Sequence, residues 1–428
     1  MTQKRLWILL SLTAVLALVL AACGGGAAEP AAEEPAAEEA PAEEAPAEEA
    51  PAEEPASEEG KYQIPAVEDG KYNVAFVYVG PRDDGGWTQA HDVGRQYVQD
   101  NVDNVHTAYV ESVAEGADAE QVIRSLARKG FDVIFTTSFG FMDASEIVAE
   151  EFPDVDIIHI SGYKSNEANF GNLMGAMEDI KYLAGMLAGS RAKVDGNPKL
   201  GYIATFPIPE ELRLGNAFAL GVEETCPDCT IDVRWIFTWH DPILEQEAAK
   251  SLFDSGAQVV MTGADTPAPA EAAPEGKWGI TYDYSGNCNV DACLTSMYWN
   301  WGPEYTRIVE GSRDGTWTGG WEYFDADTGA MGLLGFMDGE TPQPGVEDLP
   351  AEDVALIKDT LAAMLAGEFD RFDVFSGPIV DNQGNEVLAE GESLEQLDLD
   401  GFSQFGSECQ TCMYWWNENI TAELPELE

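Results

Sequence analysis

The chain has 428 residues, with 78 Asp+Glu against 22 Lys+Arg and a formal net charge of −56. That balance excludes a free-standing nucleic-acid binder and a peripheral protein held to membranes by a basic face, because nothing here neutralises a phosphate surface. Length and an apolar content of 45% suit a globular chain of two ordinary domains. Residues 1–22 open with Lys4-Arg5 and an apolar run over 6–20, the layout of a secretory signal. Leu20-Ala21-Ala22-Cys23 then reads as a lipobox whose Cys23 thiol receives a diacylglycerol. A plain signal peptide and an uncleaved anchor are the rival readings, and the run is short for a membrane span. Residues 23–60 follow as a tether, with Glu-Glu doublets at 33, 38, 43, 48, 53 and 58 between Ala and Pro. Regular prolines block a helix and the carboxylates repel, so this segment is expected to be extended and disordered.

From Lys71 the texture changes. Asn73-Val-Ala-Phe-Val-Tyr-Val79 is a continuous apolar run, as in a strand covered on both faces. Helices are predicted over 89–101, 117–129, 143–151 and 178–191, alternating with strands over 106–110, 132–137 and 155–160. A second series has strands over 200–204, 231–237, 257–262 and 277–281, with helices over 210–223 and 242–255. Such alternation argues for parallel α/β sheets, with ligands outside the carboxyl ends of the strands. The expected body therefore spans 61–428, with lobe 1 mainly 71–195, lobe 2 mainly 196–300, and 301–428 crossing back between them. In that last third, 305–310 reads as a helix end and the Gly- and Trp-rich 313–337 as hairpins. Residues 351–367 read as an amphipathic helix closed by Gly367, and 376–381 as a short strand and turn.

Apart from Cys23 the cysteines form three close pairs: Cys226 with Cys229, Cys288 with Cys293, and Cys409 with Cys412. In an oxidising compartment, local disulfides are favoured, although six cysteines allow other connectivities. A zinc site would have to join C-x-x-C pairs some 180 residues apart, and no metal or cofactor is expected.

Two loops stand out at predicted strand ends. Gly80-Pro-Arg-Asp-Asp-Gly-Gly-Trp-Thr-Gln-Ala-His91 places Trp87 just before a helix, and Phe237-Thr-Trp-His-Asp-Pro242 places Trp239 likewise. Two aromatics on facing lobes can sandwich a flat ring, each contributing about 1 kcal/mol beyond area burial. Asp265 and Asp283 also follow strands, although Asp84, Asp241 and Asp265 equally suit helix caps. Catalytic signatures are missing: there is no G-x-S-x-G, P-loop or H-E-x-x-H, and the histidines at 91, 106, 159 and 240 are scattered. Asp325-Ala-Asp327-Thr-Gly329 reads as a turn rather than a calcium loop.

Several stretches in order resemble the basic membrane protein (BMP) family of ABC-transporter substrate-binding lipoproteins. They are Val77-Tyr-Val-Gly80 with Asp84-Gly-Gly-Trp-Thr-Gln-Ala-His-Asp92, then Thr137-Ser-Phe-Gly-Phe-Met142 and Phe206-Pro-Ile-Pro-Glu210. Asn216-Ala-Phe-Ala-Leu-Gly221, Trp239-His-Asp-Pro242, Leu294-Thr-Ser-Met-Tyr-Trp-Asn-Trp-Gly302 and Ser376-Gly-Pro378 extend the resemblance over roughly 70–405. It implies a type I periplasmic-binding-protein fold, two doubly wound parallel-sheet lobes joined by a hinge, and purine nucleosides or bases as ligands. By position, Trp87 stands where nucleoside-binding members have a stacking Phe, and Thr88 where they have Asn. Trp239 matches the second stacking aromatic, and Asp283 lies near an acidic position that contacts ribose. Trp299 departs from the pattern, standing where those members have a ribose-binding Lys; its bulk implies a free base such as adenine or hypoxanthine. Phe139, Phe206 and Asp265 complete the expected ligand contacts.

The resemblance thus implies no enzyme but a monomeric receptor, lipid-anchored to the outer face of the cell membrane, that delivers a purine to an ABC permease. Rival readings are a nucleoside receptor, a sensory lipoprotein and, more remotely, a nucleoside hydrolase. Removing the tether's 13 negative charges and the signal's two positive ones leaves −45 on residues 61–428. This charge is expected to be mostly solvated surface and to say nothing of the ligand.

Overall fold

The computed structural model describes residues 61–401 and 408–426; the expected signal, Cys23 and the tether lie outside them. The first series runs β1 (Tyr72–Tyr78), α1 (Trp87–Asn101), β2 (Val105–Val110), α2 (Ala117–Lys129), β3 (Val133–Thr137), α3 (Met142–Glu151), β4 (Asp156–Ile160) and β5 (Phe170–Gly175). β1 is apolar from Val74 to Tyr78 because both its faces are covered. Val74, Phe76 and Tyr78 join a core that includes Ala90 and Val98 of α1, while Ala75 and Val77 face α2 and α3.

The second series follows as α4 (Met177–Val194), β6 (Lys199–Ala204), α5 (Pro209–Thr225), β7 (Thr230–Trp235), α6 (Pro242–Asp254), β8 (Val259–Thr262), α7 (Ala268–Ala272), β9 (Trp278–Asp283), β10 (Cys293–Trp299) and α8 (Trp301–Arg313). Its sheet has the same winding. The first sheet reads 2-1-3-4-5 and the second 7-6-8-9-10, so the order reverses beside β1 and beside β6. Ligands of doubly wound sheets sit outside the carboxyl ends of the strands at such reversals.

β5 and β10 lie outside the predicted strands, because Asn172, Thr295 and Ser296 interrupt their apolar character. All three are buried. Asn172 is held by Gly162 N–H and Lys164 C=O, and the Thr295 hydroxyl donates to Leu334 C=O.

The expected hairpins over 313–337 are not formed. β11 (Gly320–Phe324) instead adds to the first sheet, parallel to β5. β12 (Met331–Leu333) adds to the second sheet, antiparallel to β10. Each open edge offers a row of unpaired backbone groups, and pairing with two different sheets covers both edges. The Asp325–Gly329 segment is therefore a passage between sheets, turned through Ala326–Thr328 and Gly329 at φ +71°.

Three passages link the sheets: β5 to α4, β10 to α8, and β11 to β12. They meet around Gly175, where an added Cβ would lie 2.5 Å from Phe324, 2.7 Å from Met331 and 2.8 Å from Trp299. The rings of Trp299, Trp301, His91 and Tyr305 stack in a column beside this point, with Trp299 and Trp301 at 4.6 Å and 17°.

α4 and α5 pack backbone to backbone. An added Cβ at Gly221 would fall 1.9 Å from the Tyr182 carbonyl, and one at Gly185 2.1 Å from the Phe218 carbonyl. Gly221→Ala is expected to destabilise the body by about 3 kcal/mol or more, since helix backbones cannot move aside as a side chain does. Urea unfolding followed by tryptophan fluorescence measures this; a wild-type midpoint would refute the close packing.

Beyond α9 (Ala351–Leu365), followed by Gly367 at φ +67°, come α10 (Arg371–Val374), the small pair β13 (Ile379–Val380) and β14 (Glu386–Leu388), and α11 (Gln396–Leu399). The tail then returns to the second sheet. Ile420 bridges Ile231 on the free edge of β7, Trp416 is fully buried against Trp235 and Tyr202, and Asn216 receives Asn417 N–H.

All three close cysteine pairs are joined as local disulfides, so none of the six thiols is left for a metal. Cys226 bonds to Cys229 in the turn between α5 and β7. Cys288 bonds to Cys293 at the start of β10. Cys409 bonds to Cys412 in the returning tail, where the Asp398 carboxylate accepts from Gln410 and Thr411 N–H between them.

Candidate binding cleft

In the first lobe, the Asp84 carboxylate accepts from the N–H groups of Gly86, Thr88 and Gln89 at 2.9–3.0 Å. It thereby satisfies orphan donors at the start of α1 and fixes Trp87 in the first turn. The Trp87 indole donates Nε1–H to Thr137 C=O at 2.7 Å, so its polar atom is held inside the lobe while the ring lines a cleft. Val79, Ser138, Phe139 and Ser161, all just beyond β1, β3 and β4, complete this wall.

In the second lobe, Glu210 and Glu211 from the first turn of α5 face the same space. Trp239 joins them, braced by Phe206 at 4.8 Å between ring centroids. Asp241 caps α6 by accepting from Ile243 and Leu244 N–H at 3.0 Å. Gly263, Asp265, Tyr282 and Asp283 close the floor. The space between these walls, counted out to open solvent, is about 550 Å³. Among the described residues, four of the five non-glycine residues at positive φ lie at or just beyond strand ends at this edge: Ser112, Ser161, Phe237 and Asp283. Left-handed backbone at non-glycine positions concentrates at functional sites.

The two lobes touch across the cleft. Trp87 N–H approaches Asp265 Oδ1 at 3.4 Å. A Cβ on Gly86 would lie 2.4 Å from Asp265 Cβ and 2.5 Å from its Cα and carbonyl oxygen, and one on Gly85 would lie 3.0 Å from Asn287 Oδ1. The glycine pair is what lets the two backbones meet.

The electrostatics are unusual for a neutral-ligand site. Burial pushes the Glu210 carboxyl up to about 7, against the opposing pull of Arg213. Burial likewise takes Asp283 to about 7, although Lys181 nearby favours its charged form. Asp265 lies well above the carboxylate range through burial first, then through Asp84 and Asp283. The two carboxyls also act on each other, Asp283 holding Asp265 up and Asp265 holding Asp283 down. Trp299 donates Nε1–H to Asp283 at 2.8 Å from behind. His91 is fully buried between Trp301 and Tyr305, and burial keeps it neutral, so it is a structural residue.

A raised carboxyl means that the folded body holds a proton the unfolded chain has already released. Stability is therefore lost as pH rises from about 4, the unfolded value, through the folded value near 7. Asp283→Asn removes that loss. It is expected to stabilise the ligand-free body by roughly 1–3 kcal/mol at pH 8 and to change little at pH 4. Thermal unfolding at both pH values checks the sign; equal shifts at both would refute it.

Of the residues singled out from sequence, Trp87, Phe139, Trp239, Asp265 and Asp283 line the cleft together. Thr88, Phe206 and Trp299 do not reach its wall. Thr88 is fully buried in α1, Phe206 supports Trp239, and Trp299 backs Asp283 and meets Trp87 edge-on at 6.1 Å. The bulk that Trp299 brings in place of a ribose-binding residue thus lies behind the wall. Sequence reasoning missed Glu210, Glu211 and Tyr282. Two acids after Pro209 read as ordinary first-turn charges, and only the reversal beside β6 turns them inward. Most of the body's acids lie at the surface as expected, but Glu178, Asp179, Glu211, Glu245, Asp265 and Asp283 are buried.

The family described as Bmp, ABC transporter substrate-binding protein PnrA-like, matches residues 71–354. A purine-binding protein of Brucella abortus is 33% identical over 335 residues, 77% of this chain and 90% of that protein. A putative ABC transporter glucose-binding protein of Haloferax volcanii is 36% identical over 317 residues, 73% of this chain and 76% of its own length. Among solved structures, an ABC transporter solute-binding protein of Aeropyrum pernix superposes with a TM-score of 0.60 at 19% identity, covering 69% of this chain and 92% of that one. That last likeness concerns the fold, and it is the periplasmic-binding-protein arrangement of two doubly wound lobes.

Proposed function

Because this chain belongs to the Bmp, PnrA-like family of ABC transporter substrate-binding proteins, we propose that it captures a purine base between Trp87 and Trp239 and hands it to a membrane permease. The family is one of extracytoplasmic binding proteins rather than enzymes. The observation that carries the ligand reading is the placement of these two tryptophans in one cleft with a floor of carboxyl groups. A flat heteroaromatic ring stacks on indole faces. A carboxyl that carries a proton both donates and accepts, matching a ring nitrogen beside an amino group. Closure of the lobes through the Gly86–Asp265 contact would bury the ring, as in hinge closure around a ligand. Export, lipidation at Cys23 and reach through the acidic tether complete the proposal, placing the receptor on the outer face of the membrane.

A sugar is the second reading. Carboxylates accept from hydroxyls, aromatic faces suit a pyranose, and the Haloferax volcanii relative is named for glucose. Calorimetry with adenine, hypoxanthine, adenosine, guanosine and glucose separates the cases. The purine-base reading expects micromolar or tighter binding of adenine or hypoxanthine. Response to nucleosides alone would replace it with the nucleoside reading, and response to glucose alone with the sugar reading.

A further inference from the structure

The cleft is short of positive charge. Glu210, Glu211, Asp265 and Asp283 line it together with the rings of Trp87, Phe139, Trp239 and Tyr282, and no Lys, Arg or His is among the lining residues. A carboxylate has room for about four donors. Here Asp265 receives Trp87 N–H at 3.4 Å and Asp283 receives Trp299 Nε1–H. Glu211 receives Tyr202 O–H and Thr205 N–H, both at 3.5 Å. Among the described residues none hydrogen-bonds the Glu210 carboxylate.

The cations behind the wall act on the floor without bonding to it: Lys181 favours the charged forms of Glu211 and Asp283, and Arg213 that of Glu210. Lys181 is fully buried with its Nζ 3.8 Å over the Tyr282 ring and makes no hydrogen bond. Arg213 is drawn to Glu178 at 3.6 Å and to Asp400. His240 stands 3.7 Å from Asp265. The remaining groups facing the floor, Asp84, Glu178 and Glu245, add negative charge. Aromatic faces over a surplus of carboxylates favour a delocalised cation, through ring quadrupoles and desolvated charge pairing together.

We propose that the cleft selects a cationic, N–H-bearing nitrogen heterocycle over its neutral isostere. This rests on the reading of the cleft as a heteroaromatic-base site, and it names the charge of the ligand within that class. When the cation enters, the proton held on Asp265 leaves to solvent, and the carboxylates pair with the ring instead. A neutral ring needs that proton kept, as a donor to its ring nitrogen. The two ligand types therefore have opposite pH dependence: affinity for the cation rises with pH, and affinity for the neutral ring falls.

The test uses the full folded chain and a matched pair, neutral 9-methyladenine and cationic 1,9-dimethyladeninium, with 1-methylnicotinamide as a cation that is not a purine. Calorimetry between pH 5.5 and 8, in buffers of different ionisation enthalpy, reads affinity and proton release. At pH 8 the cationic purine is expected to bind at least ten-fold more tightly than 9-methyladenine, with protons released. Glu210→Gln and Asp265→Asn should each cut that ratio five-fold or more, and both keep the shape of the side chain. Tighter binding of the neutral isostere at pH 8 overturns the proposal while leaving the purine reading intact. A ratio unmoved by both variants also overturns it. Binding of 1-methylnicotinamide with no response to adenine or 9-methyladenine overturns the purine reading and supports the cation. Silence from both cations overturns the proposal.

Discussion

Gly86→Ala is expected to weaken ligand binding at least 100-fold, about 2.7 kcal/mol, while leaving the melting temperature of the ligand-free protein within about 2 °C of wild type. The added methyl would stand 2.4 Å from Asp265 Cβ and 2.5 Å from its Cα and carbonyl oxygen. Those atoms belong to the other lobe, and backbone cannot rotate out of the way as a long side chain does. What the methyl blocks is the approach of β1's loop to β8's loop, the contact of the proposed closure and one that neither lobe's own core uses. The lobes are then held ajar, and an ajar cleft leaves the ring in water. Calorimetry measures the loss, and small-angle scattering with saturating ligand measures whether the variant stays expanded. Wild-type affinity, or a variant that unfolds outright, would each show that the contact is not one of closure.

Trp87→Ala should have an effect of the same order, a loss of about 3 kcal/mol, combining one buried aromatic face with its stacking geometry. Most of that should appear in the dissociation rate, as it does for contacts formed after encounter. The alanine also leaves a gap against His91, Trp299 and Trp301, whose rings meet Trp87 edge-on at 4.3–6.1 Å, so a stability loss of some kcal/mol accompanies it. Trp87→Phe separates the two effects. It keeps a ring toward the cleft, gives up the bond from Nε1 to Thr137 C=O, and should bind within ten-fold of wild type. Phe behaving like Ala would mean that Trp87 acts on the cleft by packing rather than by stacking.

The rings of this column tie the binding wall to the passages between the lobes. Trp299 ends β10, where the chain crosses to the first lobe, and its indole holds Asp283 at the cleft floor. Trp301 begins α8 on the other side of the crossing, packs on Trp299, and carries Phe324 from the third passage edge-on at 6.0 Å. A change in lobe angle therefore moves groups in van der Waals contact with Trp87 and bonded to Asp283, and a densely packed core transmits such shifts.

The layered α/β architecture is legible in the residues alone, because a strand buried on both faces has to be apolar at every position and a helix on one face only. Val74 to Tyr78 are readable for that reason. Trp87, Trp239, Asp265 and Asp283 are readable too, since a doubly wound sheet presents every strand end to one edge. The pairing of Cys226 with Cys229, Cys288 with Cys293 and Cys409 with Cys412 follows from nearness along the chain. The strands Phe170–Gly175 and Cys293–Trp299, and the split of 313–337 between two sheets, depend instead on contacts between remote segments. Their Asn, Thr, Ser and Gly residues do not mark a strand by themselves, and the hydrogen bonds that allow their burial come from other parts of the chain. The same holds for charge. Composition counts acids but not their solvation, and only the folding of two lobes face to face takes Glu211, Asp265 and Asp283 out of water and sets them with Glu210 around one cleft, where desolvation favours the protonated form of each carboxyl.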